Sequence, residues 1–326
     1  MSESLKKQAV NGIAWTSVER FAQQIIQFVL GVAIARVLSP ADYGIVGMTA
    51  IFFAIANTFI DSGFGGALIQ KQDRNEDDYS TCFYFNIFVS VVLFGIIYLC
   101  SPAIATFYRT PILCDVTRVL SLTIVINSFG ISQNAKLTAE LKFKAMAMIT
   151  ISSQLATGIL GLYMAYTGWG VWALVFQQIF GSLLRLILIE CYLKWIPKRR
   201  FSKDSFHHLF SFGSKILCSS IINTIYDNIY TLVIGRVFSP KDVGYYNRGN
   251  QFASLPANTI LGIFMKVAYP LMSEVQNDTD KLRRAYKKFL RVPLFVLWPI
   301  LFGLMALAKP LILLLLGEKW LPCVPL

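Results

Sequence analysis

Long apolar runs alternate along this chain with short segments rich in charge, proline and glycine. Runs near 12–38, 42–69, 81–107, 116–138, 145–167, 170–194, 213–238, 243–272 and 289–308 each approach or exceed the roughly 20 residues that a bilayer-spanning helix needs. A tenth run begins at Pro310. No stretch alternates apolar and polar residues with a period of two, so helices rather than a barrel are expected to satisfy the backbone in hydrocarbon. Two polar segments are amphipathic. "RFSKDSFHHLFSF" gathers Phe206, Leu209 and Phe210 on one helical face, and "KLRRAYKKFLR" does the same with Leu282, Tyr286, Phe289 and Leu290. Both predict helices lying in the headgroup region.

Composition strengthens the membrane assignment. Of 326 residues 55% are apolar and only 15% charged, too few charges to cover a soluble domain of this size. The formal charge of +12 could suggest a nucleic-acid partner, but the basic residues sit between apolar runs, without a basic-aromatic stripe. They read instead as topology signals. With the N-terminus in the cytoplasm, alternate loops hold eighteen Lys and Arg inside against seven outside. The opening "MSESLKK" leads into a run that carries Glu19 and Arg20, unlike a cleavable signal. Six scattered cysteines form no metal or redox motif; Cys100 and Cys114 bracket one loop but read as ordinary apolar thiols.

One short phrase occurs twice. "IARVLSPADYG" (34–44) and "IGRVFSPKDVG" (234–244) agree at seven of eleven positions without a gap. In each, one apolar helix is expected to end, the chain to turn at Ser-Pro, and the next helix to start at Asp42 or Asp242. Pro40 and Pro240 suit an early helical position, and the acids suit a helix N-terminus. Arg36 and Arg236 suit the C-terminal end of the preceding helix. Six spans separate the copies, so both face the same side. That predicts a parallel repeat of two six-helix bundles: an N-terminal lobe at 1–195, and a C-terminal lobe at 196–326 that holds three spans and the start of a fourth. The expected fold is thus an all-α integral membrane protein with nine to ten spans in this chain, the second lobe being cut short.

The segments "GIAWTSVERFAQQIIQFVLGVAIARVLSPADYGIVGM", "FIDSGFGGALIQKQ", "DNIYTLVIGRVFSPKDVGYYNRGNQFASLP" and "LLLGEKWLP" resemble bacterial polysaccharide and O-antigen flippases of the Wzx type. These belong to the multidrug/oligosaccharidyl-lipid/polysaccharide exporter superfamily. The resemblance covers nearly the whole chain and is most specific in the first repeat phrase and in "DSGFGGALIQ". It implies a multi-pass protein of the bacterial cytoplasmic membrane with no enzymatic role. It also implies movement of lipid-pyrophosphate-linked oligosaccharide from the cytoplasmic to the periplasmic leaflet by alternating access, for lipopolysaccharide or exopolysaccharide assembly. Partners would be that substrate, the bilayer and other polysaccharide-assembly proteins.

Such a protein needs cationic groups for pyrophosphate, neutral hydrogen bonders for sugar and a coupling group for H⁺ or Na⁺, but no other cofactor and no metal centre. Ionisable side chains within spans are costly and often mark function. On the first span Thr16, Arg20, Gln23, Gln27 and Gly31 form one polar face; on the seventh, Lys215, Ser219, Asn223 and Tyr226 do so; on the eighth, Asn247, Gln251, Ser254, Asn258 and Gly262. Substrate contacts are therefore expected from Arg20, Gln23, Gln27, Lys215, Asn223, Arg248, Gln251 and Asn258, against the simpler reading of the stripes as glue between helices. Asp61 and Asp227, acids among apolar neighbours, are the candidates for ion coupling. Two other functions compete. A drug or cation antiporter of the same superfamily would favour acids and aromatics over these amide-rich, basic stripes. A polysaccharide polymerase or ligase would be expected to carry a large outside loop, and the sequence shows no P-loop, G-x-S-x-G or H-E-x-x-H.

Overall fold

The computed structural model describes residues 3–61, 64–71, 73–197, 201–274 and 279–326, with the backbone alone for 3–14, 69–70, 208, 212, 215, 262–274, 279–282, 284–285 and 288. The described regular structure is helical: α1 (Glu3–Val37), α2 (Pro40–Asp61), α3 (Phe64–Gln70), α4 (Glu76–Phe107), α5 (Leu113–Leu120), α6 (Leu122–Ala139), α7 (Phe143–Tyr166), α8 (Val171–Leu193), α9 (Lys203–Val237), α10 (Pro240–Glu274), α11 (Thr279–Leu315) and a 3-10 turn at Glu318–Cys323. Among the described residues seven stretches are long and apolar enough to cross a membrane: Trp15–Val37, Pro40–Leu68, Glu76–Phe107, Leu113–Ala139, Phe143–Tyr166, Val171–Leu193 and Phe289–Leu315. The spans expected at 213–238 and 243–272 fall on α9 and α10, helices of 35 residues that carry more polar side chains. By packing, the chain divides into two compact units, Met1–Val243 and Gly244–Leu326.

In the first unit α1 lies along α7, α4 along α6, and α2 along α9, while α8 packs on both α6 and α7. Small residues set the closest approaches. At Gly158 a Cβ would run into the side chain of Leu30 of α1, and at Gly161 it would stand 2.7 Å from Gln177 of α8. These two glycines let α7 press against a neighbour on either side, as packing between helices in lipid favours. Gly235 of α9 is as tight, since its Cβ would meet the Tyr108 ring at 2.7 Å.

Both copies of the repeated phrase make the same turn. Ser39 Oγ donates to Asp42 Oδ2 at 2.6 Å, the Ser39 amide donates to the same oxygen at 2.9 Å, and the Asp42 amide returns to Ser39 Oγ at 3.3 Å. The corresponding distances for Ser239 and Asp242 are 2.6, 3.0 and 3.4 Å. This is a capping box with aspartate in the third helical position. The new helices therefore begin at Pro40 and Pro240 rather than at the acids, because proline needs no amide partner in a first turn. Arg236 Nη1 donates to the Phe107 carbonyl at 2.6 Å, with its guanidinium 5.0 Å from the Phe107 ring centre, and so caps the C-terminal end of α4.

The opposite end of this unit is held by buried polar contacts. Lys71 Nζ reaches both oxygens of fully buried Asp78, at 2.8 and 2.7 Å, while Asn75 and Asp78 form another capping box at the start of α4. Glu76 accepts from Lys136 Nζ and from Trp195 Nε1, each at 2.9 Å. The segment around Phe206 differs from expectation. It is the first turns of continuous α9, and Leu209 is fully buried in a cluster with Phe64, Leu68, Tyr79 and Trp195. Phe206 packs on Phe64 and Phe85, with ring centres 6.0 and 5.2 Å apart. Phe206 and Leu209 of its apolar face pack on α3 and α4, while Phe210 stays 45% exposed.

In the second unit the segment beginning near Lys281 is likewise the start of one helix, α11, which contains Pro293, Pro299 and Pro310. The 3-10 turn packs on α11, and fully buried Trp320 lies edge-on to Tyr245, ring centres 6.2 Å apart.

Candidate functional site

Three helices of the first unit present polar faces to one open cavity of about 540 Å3. From α2 come Asn57 and Asp61, spaced four apart; from α6, Asn127, Asn134 and Thr138; from α8, Ser182 and Arg185. Each set follows the three-, four- and seven-residue spacing of one helical face. Ile60, Ile131, Leu186 and Ile189 line the walls between them. Gly130 contributes no side chain, and a Cβ there would meet Asn134 Nδ2 at 3.5 Å.

The polar groups are unequally engaged. Asn134 Nδ2 donates to the Gly130 carbonyl at 2.8 Å, leaving its Oδ1 to a long contact of 3.5 Å from Arg185 Nη2. Thr138 Oγ1 donates to the Asn134 carbonyl at 2.8 Å. Asn57, Asn127 and Ser182 make no side-chain hydrogen bond to protein among the described residues. Asp61 and Arg185 share the cavity without forming an ion pair within 4 Å, again among the described residues. Adjacent bonds stiffen the frame: Gln133 Nε2 donates to Glu190 Oε1 across α6 and α8, and Thr58 Oγ1 lies 2.9 Å from Thr224 Oγ1 across α2 and α9. The cavity therefore offers donors and acceptors from three directions, with one carboxylate balanced by one guanidinium. It is equipped to bind. Among the described residues no three His, Cys, Asp or Glu side chains gather as metal ligands.

Of the residues expected from sequence, the structure brings Asp61 alone into this cavity. On α1, Arg20 and Gln27 are exposed and Gln23 is half-buried, its carbonyl accepting from Gln154 Nε2 of α7 at 3.5 Å. Asn223 and Asp227 on α9 are exposed, and the side chain of Lys215 lies outside the described residues. In the second unit Arg248 is 9% exposed; its Nη1 donates to Gln251 Oε1 at 2.7 Å and its guanidinium lies 6.0 Å from the Trp320 ring centre. Asn258 is exposed. The residues of the two corners, Arg36, Pro40, Asp42, Arg236, Pro240 and Asp242, sit at helix ends, away from the cavity lining.

Sequence reading passed over Asn57, Asn127, Asn134, Ser182 and Arg185. A signal was there, since Asn127, Gly130, Asn134 and Thr138 repeat at helical spacing, as do Ser182, Arg185 and Ile189. What it lacked was the knowledge that α2, α6 and α8 face one another.

Comparison with known proteins gives this architecture a context. The chain is 30% identical over 99% of its length to the teichuronic acid biosynthesis protein TuaB of Bacillus subtilis, of which it covers 67%. It is 27% identical over 99% of its length to the lipopolysaccharide biosynthesis protein WzxC of Escherichia coli, covering 66% of that protein. The succinoglycan biosynthesis transport protein ExoT of Rhizobium meliloti is 25% identical, over 96% of this chain and 64% of its own length. The chain thus spans about two thirds of the length of these relatives. Its fold is shared with the lipid II flippase MurJ in an inward closed conformation, with a TM-score of 0.76 at 18% identity over 96% of this chain and 70% of that one. It is also shared with an inward-facing multidrug resistance MATE family transporter of the MOP superfamily, with a TM-score of 0.71 at 15% identity over 96% of this chain and 77% of that one. The sequence pattern of one family extends over residues 33–325, almost end to end, and with these relatives it establishes that the chain belongs to the polysaccharide biosynthesis protein family.

Proposed function

We propose that this chain acts in moving lipid-pyrophosphate-linked oligosaccharide from the cytoplasmic to the periplasmic leaflet of the bacterial inner membrane, for lipopolysaccharide or exopolysaccharide assembly. The observation that carries the reading is a family match over residues 33–325 in a chain whose fold is that of a flippase. The cavity supports it: donors and acceptors without a catalytic arrangement suit carriage better than bond making. Orientation by basic residues adds a direction. The cavity lies toward the end of the helices that carries Lys136, Lys142, Lys144 and Lys194, the end proposed to face the cytoplasm where substrate loads.

The duplicated corner supports two equivalent lobes divided near residue 195, which would alternate access to the two sides. Arg20 and Lys215, on helices preceding the two copies of that corner, are the proposed cationic contacts for pyrophosphate, and H⁺ or Na⁺ the proposed coupling ion. A drug or cation antiporter is a second reading, favoured by the fold shared with the MATE transporter. One experiment separates them. The full-length gene, expressed in a strain lacking its polysaccharide flippase, should restore surface glycan and leave drug resistance unchanged. Restored resistance without surface glycan would overturn the proposal.

A further inference from the structure

Resting on that proposed function, we propose that the cavity between α2, α6 and α8 is a subsite for an uncharged sugar ring of the glycan, separate from any group that holds phosphate. A pyranose presents hydroxyls around its rim and C–H groups on its faces. The cavity presents the complement. Asn57 and Asp61 stand on one wall, Asn127 and Asn134 on the second, Ser182 and Arg185 on the third, with isoleucine and leucine side chains between them. Its volume of about 540 Å3 falls within the range of roughly 300–1,000 Å3 usual for small-molecule sites. Asn57, Asn127 and Ser182 have no side-chain hydrogen bond to protein among the described residues, so their hydrogen-bonding capacity is open to a ligand.

Charge excludes the two other occupants that membrane transport would suggest. A phosphate entering the cavity would meet the Asp61 carboxylate as well as Arg185, and charge-assisted binding of an anion needs cationic excess. A sodium ion would find amide and hydroxyl oxygens beside Asp61, but the Arg185 guanidinium in the same cavity opposes a second positive charge. A neutral ring satisfies both charged groups at once: its hydroxyls donate to Asp61 and accept from Arg185.

The test uses the full-length protein, with native cysteines replaced and one cysteine introduced by Ile126→Cys on the cavity wall. Alkylation of that thiol by a maleimide is timed with glucose, galactose or N-acetylglucosamine at high millimolar concentration, and separately with inorganic pyrophosphate or sodium chloride. At least one sugar should slow labelling severalfold, while pyrophosphate and sodium should not. Asp61→Asn and Arg185→Gln should each abolish the protection while membrane level and elution profile match the parent. Protection by pyrophosphate or sodium in place of sugar would overturn the proposal, and so would the absence of protection by every sugar. Complementation by the wild-type gene is scored alongside. Surface glycan restored without sugar protection removes the subsite and leaves the transport function standing; sugar protection without restored glycan does the reverse.

Discussion

Asp78 offers a sharp test of how the first unit is held together. Its carboxylate is fully buried, accepts from Lys71 Nζ at 2.8 and 2.7 Å, and accepts the Asn75 amide at 3.0 Å. Asp78→Asn keeps the shape but removes the charge, leaving the ammonium facing a neutral amide. Removing one partner of a buried pair costs about 3–5 kcal/mol. Lys71 keeps 23% of its side chain exposed and can recover some hydration, so the lower end, about 3 kcal/mol, is expected. Lys71→Met leaves the carboxylate buried with only neutral donors, the Asn75 amide and the Ser205 side chain, and should cost a similar amount. In the double variant neither charge is stranded, and its loss should fall short of the sum of the singles by about 2 kcal/mol, within the usual range for contacting residues. The measurement is a double-mutant cycle on the purified full-length protein in detergent, read from denaturant midpoints. Additive losses, or single variants within about 0.5 kcal/mol of wild type, would refute the reasoning.

Four further outcomes can be checked on the same material. Gly235→Ala places a methyl 2.7 Å from the Tyr108 ring and should cost about 1–3 kcal/mol by overpacking; adding Tyr108→Leu should recover part of the loss in thermal melts. Ser39→Ala and Ser239→Ala each delete a cap and should cost about 1 kcal/mol, with similar values expected because the two corners share their geometry. Burial pushes the Tyr108 phenol up to about 12, and its hydroxyl has no hydrogen-bond partner among the described residues. Folded protein therefore retains a proton that unfolded chain releases above about pH 10, so stability should fall as pH rises from there toward 12, and Tyr108→Phe should flatten that fall. Single cysteines at Ser202 and at Thr167 should label oppositely in intact cells with an impermeant thiol reagent, Thr167 strongly and Ser202 weakly; the reverse pattern would invert the proposed orientation.

The two repeated corners were the most legible part of the chain, because Ser-Pro-x-Asp encodes its hydrogen bonds within four residues. The cavity was not, because its seven polar residues lie on three helices whose mutual facing is a tertiary fact. Asp61 stood out as an acid among apolar neighbours; Arg185, between Leu184 and Leu186 well inside its span, gave the same contrast and was passed over. The segment from Phe206 to Phe210 shows a different limit. Its apolar face was readable, but periodicity records only that a face is apolar, and a protein wall of Phe64 and Phe85 satisfies it as well as lipid would. The polar stripe on α1 has the same ambiguity: Gln154 of α7 donates to the backbone carbonyl of Gln23, while the side chains of Arg20 and Gln27 are exposed.

The three prolines of α11 give that helix a directional softness. Each lacks an amide hydrogen, so the carbonyls of Phe289, Phe295 and Ala306, four residues earlier, lose their usual partner, and each ring pushes its turn open. At about 100° per residue, Pro299 and Pro310 are eleven positions apart and fall within roughly 20° of the same azimuth. Pro293 lies about 120° away from Pro299 around the helix. Two of the three weak points thus hinge in nearly one plane, and their bends add rather than cancel. Flexing this rod costs least in that plane and more across it.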